Sequence, residues 1–224
     1  MPHFDIVKEN HPQNTFRVSK VEADFDVKPE HSTEHFVGNI TIPEKWNVGV
    51  IVGGSGTGKS TIAKELFGDK MVGQLEYSAA SVIDDMPNVG INEITKMFYA
   101  VGFGSVPSWL KPYSVLSNGE KMRVDLARAL LENDFVVFDE FTSVVDRKVA
   151  QTASLAVSKA VRRAEKQFIA VSCHYDILDW LEPDWVFDTN TMTDFFGKAH
   201  ALKSDLQSGD ADTGSGQSLG VIII

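Results

Sequence analysis

The sequence has one cysteine and no long apolar run, and each scarcity excludes a class of protein. Cys173 has no second cysteine to pair with, so an internal disulfide is excluded and a reducing compartment is favoured. No apolar stretch approaches the roughly 18 residues that a membrane-spanning helix needs. The first residues have neither the basic nor the apolar region of a signal peptide. We therefore expect a soluble, cytoplasmic protein that does not insert into a membrane.

Positive charge is also scarce. The 224 residues carry 21 Lys and Arg against 31 Asp and Glu, a formal net charge of −10 at pH 7. This acidity argues against a protein whose main task is to coat nucleic acid. Four basic residues at helical spacing could contact DNA, although a solvated helix face is the simpler explanation, so DNA stays open as a partner. They are Lys159, Arg162, Arg163 and Lys166.

Three short apolar runs, at residues 46–52, 135–138 and 168–172, have the composition of strands that are buried on both faces. Residues 147–166 lie between the last two runs and have helical composition, with apolar side chains recurring on one side. Buried strands that alternate with helices predict an α/β domain with a largely parallel sheet.

Both ends of the chain differ from this middle part. Residues 15–28 and 36–42 alternate partly between apolar and charged side chains, which predicts two antiparallel, half-buried strands. The end of the chain is rich in Ser, Gly and Asp, a composition typical of flexible linkers. We therefore expect a folded domain over residues 1–198 and a Ser/Gly-rich flexible tail over residues 199–224.

A glycine-rich segment follows the first buried run and matches G-x-x-x-x-G-K-[ST], the phosphate-binding P-loop. It comprises Gly53, Gly54, Ser55, Gly56, Thr57, Gly58, Lys59, Ser60 and Thr61. Glycines let backbone N–H groups turn inward around phosphate oxygens, and the following helix N-terminus adds partial positive charge. We expect Lys59 to neutralise the β- and γ-phosphates and Ser60 to offer its hydroxyl to Mg²⁺.

Two carboxylates follow the second buried run. Asp139 and Glu140 stand where open α/β sheets bind their ligands, at the carboxyl end of a strand. Together with the P-loop, this pattern predicts that Asp139 holds Mg²⁺ opposite Ser60. Glu140 would then project toward the γ-phosphate and could accept a proton from an attacking water.

A capping pattern precedes a long helix-like stretch, residues 120–132. Ser117 and Glu120 are three residues apart and form a capping box. A hydroxyl and a glycine at a helix N-terminus are also the parts of a phosphate site. The residues alone leave a plain helix start and a phosphate site equally open.

In this order the motifs resemble those of the nucleotide-binding domain of ABC-type ATPases. The residues that carry the resemblance are the P-loop at 53–61, Leu-Ser-Asn-Gly-Glu at 116–120 and Phe-Val-Val-Phe-Asp-Glu at 135–140. Residues 143–146 look like the D-loop and His174 looks like the switch histidine. The resemblance implies an α/β P-loop NTPase of the ABC-ATPase type. Its mostly parallel central sheet would have an N-terminal antiparallel β subdomain and a shortened helical subdomain beside it.

Residues 107–113 and 139–147 are similar to a narrower group, the ABC-type ATPases of phage and prokaryotic genomes. Those proteins are often fused to a predicted GNAT acetyltransferase domain. No such second domain fits after residue 198, so we expect a stand-alone or truncated member, which leaves a second domain or a protein partner open.

The resemblance implies a head-to-tail homodimer that forms with ATP, with each nucleotide between the P-loop of one subunit and the signature segment of the other. The signature residues are Ser117, Asn118, Gly119 and Glu120. The catalytic residues are Lys59, Glu140 and His174; Ser60 and Asp139 bind Mg²⁺, and Asp146 of the D-loop communicates across the interface.

The chain departs from the transporter pattern in three places. Asn118 and Glu120 stand where transporters have Gly and Gln, and a Glu there resembles chromosome-maintenance and DNA-repair ATPases. No Q-loop glutamine is evident, and the strand-like segment 81–83 ends in Asp84, which we expect to take over the contact to Mg²⁺ or water. The segment 62–115 is also shorter than in transporters.

We therefore expect a soluble ABC-type ATPase that hydrolyses ATP with Mg²⁺ to drive a conformational change other than transport. Two alternatives remain: the ATP-binding subunit of a membrane ABC transporter, and a regulatory nucleotide-binding module with little turnover. The residue that stacks on the adenine also stays open between His31, Phe25 and Phe36.

Overall fold

The computed structural model describes residues 2–10, 15–26 and 32–196. The elements in chain order are β1 (His3–Asn10), α1 (Phe16–Phe25), β2 (Ser32–Asn39), β3 (Val48–Val52), α2 (Lys59–Phe67), α3 (Ile91–Ala100), α4 (Val106–Trp109), α5 (Asn118–Glu132), β4 (Phe135–Phe138), α6 (Arg147–Arg163), β5 (Gln167–Ser172), α7 (Ile177–Leu181), β6 (Trp185–Asp188) and β7 (Thr193–Phe196). No helix in these ranges is long and apolar enough to cross a membrane. The expected domain boundary at 198 and the tail after it lie outside the described residues.

Five strands form the central sheet in the order β4-β5-β3-β6-β7. Every neighbouring pair is parallel except β6 and β7. The three strands predicted from apolar runs are β3, β4 and β5, so this part of the prediction is confirmed. All five residues of β3 are buried, which explains why its sequence is an apolar run and not an alternating one.

Two apolar clusters cover the two faces of the sheet. Val48, Val50 and Val52 pack in the larger cluster, together with residues of α3, α5, α6 and α7. Ile51 packs on the other side with α2 and with Phe4 of β1. Because successive side chains of a strand point to opposite faces, β3 anchors both layers of the domain.

An antiparallel pair formed by β1 and β2 lies beside the central sheet. Phe4 and Phe36 point inward from this pair and are buried against α2 and the sheet. The pair is the expected antiparallel subdomain, although β1 rather than residues 15–28 supplies the second strand. The strand expected over residues 36–42 lies mostly within β2, which begins earlier and ends at Asn39.

The prediction of a strand over residues 15–28 is wrong, because the described part of this segment is helix α1. Thr15 caps the helix by accepting a hydrogen bond from the backbone N–H of Val18 at 3.3 Å. Val18, Val21 and Phe25 recur at intervals of three and four, which is helical spacing rather than the period of two of a strand. No residue of α1 is buried, so the helix adds little to the core.

The chain between α2 and α5 carries the ten-residue helix α3 and the single turn α4, which form the shortened helical subdomain. Its core is aromatic. The rings of Phe98 and Phe103 meet edge to face with centroids 5.1 Å apart, and Trp109 Nε1 donates to the Phe103 carbonyl at 2.8 Å.

Asp184 joins the amino ends of β3 and β6. Its Oδ2 accepts hydrogen bonds from the backbone N–H groups of Asn47 and Val48 at 2.8 and 2.9 Å, and Arg162 Nη1 donates to its Oδ1 at 2.9 Å. Burial alone would raise the pKa of this carboxyl. The hydrogen bonds from Val48, Asn47 and Arg162 together lower it by more, so the pKa lies below its usual value.

We predict that Asp184→Asn lowers the free energy of unfolding at pH 7 by about 1–3 kcal/mol, because it weakens charge-assisted hydrogen bonds at the start of β3. A pKa that is lowered in the folded state stabilises the fold above the unfolded pKa of about 3.9, and this stabilisation is lost as the pH falls through the folded value. Urea denaturation at several pH values should therefore show a smaller loss on acidification for the variant.

The control for this prediction is Asp134→Asn. Asp134 forms one ion pair with Lys166, but its side chain is 95% exposed, so its replacement should change the free energy of unfolding by less than about 0.5 kcal/mol. Equal losses for the two variants would contradict the role given to Asp184.

Candidate nucleotide-binding site

The loop between β3 and α2 has the backbone of a phosphate cradle. Gly56 and Gly58 have φ values of 79° and 85°, in the left-handed region that favours glycine. A Cβ on Gly58 would also lie 2.6 Å from the Phe36 ring. Gly58 is the N-cap of α2 and offers no side-chain acceptor, so the first N–H groups of the helix face the loop without a cap. This arrangement is suited to an anion.

Lys59 lies in this loop and is almost buried, with 9% of its surface exposed. Its Nζ donates to the Gly54 carbonyl at 2.5 Å. Thr57 Oγ1 donates to the same carbonyl at 2.9 Å, so both side chains hold the loop in shape. The ammonium group therefore lies where phosphate oxygens would bind.

Residues after β6, which sequence reasoning did not single out, brace the loop from the opposite side. Thr189 Oγ1 lies 2.6 Å from Thr57 Oγ1, and Asn190 Oδ1 accepts a hydrogen bond from the Gly54 backbone N–H at 3.0 Å. Because β6 pairs with β3, its carboxyl end reaches the loop. Thr189 and Asn190 are far from the P-loop in the chain, so no sequence pattern could have linked them to it.

Ser60 and Asp139 meet at the carboxyl edge of the sheet, as the sequence predicts. Ser60 Oγ donates to Asp139 Oδ1 at 3.1 Å, and the same oxygen accepts the backbone N–H of Glu140 at 2.8 Å. Mg²⁺ in proteins is commonly bound by one or two carboxylates together with substrate phosphates and water. A hydroxyl and a carboxylate oxygen in contact beside a phosphate loop fit that ion.

Glu140 follows Asp139 with a strained backbone. Its φ is 52°, and Thr142 two residues later has a φ of 67°, both in the left-handed region. Ser143 Oγ donates to the Glu140 carbonyl at 2.7 Å and so closes the turn. Strain of this kind in a residue other than glycine is common at functional sites. Here it turns the exposed side chain of Glu140 into the cleft.

The cleft has a volume of about 260 Å³ and brings six residues of the P-loop together with Glu140. Its lining includes Ser55, Gly56, Gly58, Lys59, Ser60, Thr61 and Glu140. Cys173 lines it as well, at the carboxyl end of β5. Lys8 and Glu34, which face each other on β1 and β2, close its outer side.

The half-buried His174 follows Cys173, and the loop that carries it is tied to the loop after Asp139. Ser172 Oγ donates to the Phe141 carbonyl at 2.9 Å and accepts the backbone N–H of His174 at 3.2 Å. One hydroxyl therefore joins the backbone of Phe141, the residue after Glu140, to the backbone of His174.

The signature segment lies at the start of α5 and does not line the P-loop cleft of the same chain. The capping box is present: Glu120 Oε2 accepts the backbone N–H of Ser117 at 3.0 Å, and Ser117 Oγ accepts the backbone N–H of Glu120 at 3.3 Å. Beside Asn118, Gly119 has no room for a side chain, because a Cβ would lie 2.9 Å from Val149 Cγ1.

Glu120 has a local reason to be a carboxylate. Its Oε1 accepts from Ser108 Oγ at 2.7 Å, and its Oε2 accepts from Ser117 Oγ at 2.9 Å and from the Ser117 backbone N–H. The hydroxyl of Ser108 and the N–H of Ser117 hold the pKa of this carboxyl below its usual value. A glutamine has a single acceptor oxygen and could not receive all three hydrogen bonds.

Asp146 is the N-cap of α6. Its Oδ1 accepts the backbone N–H groups of Lys148 and Val149, both at 3.0 Å. The D-loop is thus fixed to the start of a 17-residue helix.

Gln74, which sequence reasoning missed, lines a cleft that Asp139 also lines. Met71 forms a parallel bridge with Val137, and the Val72 backbone N–H donates to the Val137 carbonyl at 2.9 Å. The segment therefore runs beside β4 and ends at the same edge of the sheet. Gln74 and Asp139 line one cleft of about 340 Å³. A strand reduced to a single bridge leaves too short an apolar run to be found from sequence.

The contact of Asp84 to Mg²⁺ or water stays a prediction, whereas the strand expected before it is contradicted. The expected strand at 81–83 is wrong, because these residues belong to a turn. The exposed Asp84 carboxylate accepts a hydrogen bond from Ser81 Oγ at 2.5 Å within the turn. Gln74 lines a cleft together with Asp139, and Asp84 is not among the residues that line it.

The candidates for adenine stacking are also distinguished. Phe36 is 3% exposed and packs on Gly58, so it belongs to the core. Phe25 lies on the outside of α1, with 73% of its surface exposed. His31 lies outside the described residues.

Similar proteins were found by sequence. No family model matches the chain. The chain is 28% identical over 202 aligned positions to the energy-coupling factor transporter ATP-binding protein EcfA1 of Staphylococcus aureus (strain USA300). This alignment covers 68% of this chain and 73% of the relative. It is 30% identical over 139 positions to an uncharacterised ABC transporter ATP-binding protein of Haemophilus influenzae (strain ATCC 51907 / DSM 11121 / KW20 / Rd), which covers 48% and 57%.

Solved structures with the same fold were also found. A dimeric bacterial ABC transporter cassette aligns with a TM-score of 0.54 and 16% identity over 69% of this chain and 87% of that one. A dimeric post-hydrolysis state of an ATP-binding cassette, bound to ADP and Pi, aligns with a TM-score of 0.58 and 13% identity over 83% and 92%.

These relatives are named as ATP-binding proteins of transporters, which does not support the expectation of an ATPase outside transport. The narrower likeness to the ATPases fused to acetyltransferase domains stays a prediction. In its sheet order, its P-loop and its antiparallel β pair, the chain has the fold of the nucleotide-binding domain of ABC-type ATPases.

Proposed function

We propose that the chain binds ATP with Mg²⁺ and hydrolyses it, working as a head-to-tail homodimer. The observation that carries this proposal is the cleft in which Lys59, Ser60 and Glu140 meet the P-loop glycines. A phosphate cradle, a metal-binding oxygen pair and a carboxylate are the parts that phosphoryl transfer to water requires. The similarity to ATP-binding proteins supports the same activity.

Each part has its own task. The uncapped N–H groups of α2 and the Lys59 ammonium bind the β- and γ-phosphates. Ser60 and Asp139 would hold Mg²⁺, and Gln74 would contact the ion or its water from the second cleft. The ion supplies neutralisation of the charge on the phosphate oxygens. Glu140 accepts a proton from the attacking water, because its carboxylate is exposed inside the cleft.

The signature segment supports a dimer. Ser117, Asn118 and Gly119 form a helix start that does not line the P-loop cleft of the same chain. A second copy, rotated by two-fold symmetry, would bring its own α5 N-terminus to the γ-phosphate. The similar solved cassettes are dimeric, which favours this arrangement. In the dimer, His174 and Asp146 would act on the γ-phosphate and across the interface.

Glu140→Gln should trap the ATP-bound dimer, because the phosphate contacts remain while the base is lost. We expect turnover to fall about 10²–10⁴-fold and the variant to elute as a dimer with ATP and Mg²⁺ in size-exclusion chromatography. Glu165→Gln is the matched control: Glu165 also has a left-handed φ, 53°, but lies before β5, at the opposite edge of the sheet. A monomeric Glu140→Gln variant at saturating ATP would overturn the dimer.

Lys59→Ala should weaken ATP binding about 10–100-fold, since a nearly buried cation that contacts phosphate is lost. Isothermal titration calorimetry measures the affinity. Lys64→Ala removes a cation from the exposed face of the same helix and should leave the affinity unchanged. Unchanged ATP affinity in Lys59→Ala would rule out the P-loop as the binding site.

Cys173 offers an independent test, because it is the only cysteine and lines the cleft. Bound ATP should slow its alkylation by a maleimide about tenfold when free ATP is ten times its Kd. The Lys59→Ala variant should lose this protection at the same ATP concentration. Alkylation at an unaltered rate with ATP bound would show that the nucleotide does not occupy this cleft.

A second candidate function is that of the ATP-binding subunit of a membrane transporter, which the names of the curated relatives favour. Recovery of an integral membrane protein with the tagged chain from detergent-solubilised membranes would support it. A regulatory module with little turnover is the third candidate. A steady-state phosphate-release assay separates it from the other two.

The same assay repeated with DNA tests DNA as a partner. Two of the four basic residues around α6 already have intramolecular partners: Arg162 binds Asp184, and Lys166 Nζ donates to the Leu130 carbonyl at 2.7 Å. This favours the solvated-face explanation over a DNA contact.

A further inference from the structure

Two tyrosine hydroxyls bind one carboxylate beside the candidate magnesium site. Tyr77 Oη donates to Asp125 Oδ1 at 2.7 Å, and Tyr113 Oη donates to Asp125 Oδ2 at 2.9 Å. The two rings are stacked, with centroids 3.9 Å apart and 3° between their planes. Burial raises the pKa of the Asp125 carboxyl. We refer to Tyr77, Tyr113 and Asp125 as the tyrosine clamp.

Two basic side chains of α5 hold the clamp from outside. The Arg128 guanidinium lies 5.1 Å from the Tyr77 ring centroid and donates to the Glu76 carbonyl at 2.7 Å. Lys121 Nζ lies 5.5 Å from the Tyr113 ring centroid. Lys121 and Arg128 flank Asp125 at helical spacing, so one face of α5 contacts both rings.

The clamp joins three segments that meet at the nucleotide site. Tyr77 lies three residues after Gln74, and Tyr113 lies four residues before Ser117. Asp125 belongs to α5, the helix that begins at the signature segment. Gln74, Asp125 and Asp139 line the same cleft of about 340 Å³. The segment that carries Gln74 is therefore linked to the signature helix through Tyr77 and Asp125, next to the cleft that Asp139 lines.

Packing alone does not account for these residue types. Two stacked phenylalanines over an apolar residue would fill the same space without a half-buried carboxylate. Taking a charge out of water costs desolvation energy, and replacing such a group by apolar ones is often neutral or stabilising. Hydrogen bonds to a charged acceptor are directional, so the clamp sets the relative position of its segments more closely than apolar contacts would.

We propose that Asp125 is a positioning residue of the nucleotide site, which holds Gln74 at the metal side through Tyr77 and ties this segment to the signature helix. The inference rests on the proposed function, because the position of Gln74 affects turnover only if ATP and Mg²⁺ bind at Ser60 and Asp139. It predicts that a chain without the hydrogen bond from Tyr77 to Asp125 needs more Mg²⁺ for phosphate release, while its P-loop still binds nucleotide.

The test compares Tyr77→Phe with Tyr113→Phe. Each variant removes one hydroxyl from the same carboxylate and keeps the stacked ring, but only Tyr77 is on the segment of Gln74. The measurement is the free Mg²⁺ concentration that gives half-maximal phosphate release at saturating ATP. We expect a rise of about tenfold for Tyr77→Phe and of less than about twofold for Tyr113→Phe. ATP affinity without Mg²⁺ should stay within about twofold for both.

A Gln74→Ala background shows whether Tyr77 acts through Gln74. If it does, Tyr77→Phe has no further effect on the Mg²⁺ requirement once the amide is gone, because coupled residues are not additive. The half-maximal concentration does not depend on how much of a preparation is folded, so partial unfolding of a variant leaves the comparison valid.

Two outcomes would overturn the proposal: equal shifts for Tyr77→Phe and Tyr113→Phe, or an undiminished effect of Tyr77→Phe in the Gln74→Ala background. Both leave the proposed function intact, since they presuppose hydrolysis by the unaltered chain. A chain that releases no phosphate at any Mg²⁺ concentration would instead contradict the proposed function itself.

Discussion

The nucleotide cleft depends on the parallel pairing of β4, β5 and β3 in neighbouring positions of one sheet. Because the three strands run in the same direction and in register, their carboxyl ends meet at one edge. The P-loop follows β3, the two carboxylates follow β4, and Cys173 and His174 follow β5. Residues that are more than 100 positions apart in the chain come together because of this single topological fact.

Side-chain hydroxyls join the loops at this edge. Thr57 contacts Thr189, Ser60 contacts Asp139, and Ser172 bridges the loops after β4 and β5. Each such hydrogen bond contributes only about 0.5–1.5 kcal/mol to stability. The strands beneath them are buried between two apolar clusters and are held far more firmly. The edge therefore combines a rigid base with loops whose mutual contacts can be exchanged for contacts to a ligand.

The parts of the domain that could be predicted from sequence are those in which local pattern and burial agree. Val48–Val52 is apolar throughout because both faces are covered, and the P-loop has its residue types fixed by backbone conformation. The pair of Ser60 and Asp139 followed from the P-loop and from the two carboxylates after the second buried run. The strand β1 was not predicted, and α1 was predicted as a strand. The apolar residues Phe16, Val21 and Phe25 of α1 are exposed, so in this segment an apolar pattern does not report burial.

Gln74 shows a different limit. Its segment reaches this edge of the sheet through one bridge between Met71 and Val137, which is a tertiary contact with almost no local pattern. Asp84 was favoured in its place because it followed an apolar pair, Val82 and Ile83, that turned out to form a turn. A chain segment that becomes a strand only through its neighbour cannot be found from its own composition.

The left-handed backbone at Glu140 and Thr142 means that the domain gives up stability at the residue that we propose as the catalytic base. A residue with a Cβ costs roughly 1–2 kcal/mol more than glycine in this conformation, and the β-branched Thr142 is buried with its hydroxyl unbonded among the described residues. Glycine at either position would relieve this strain. At Glu140 such a change would also remove the carboxylate from the cleft. In the loop after β4, stability and the proposed activity therefore favour different residues. We expect a chain selected only for thermal resistance to change its sequence in this loop first.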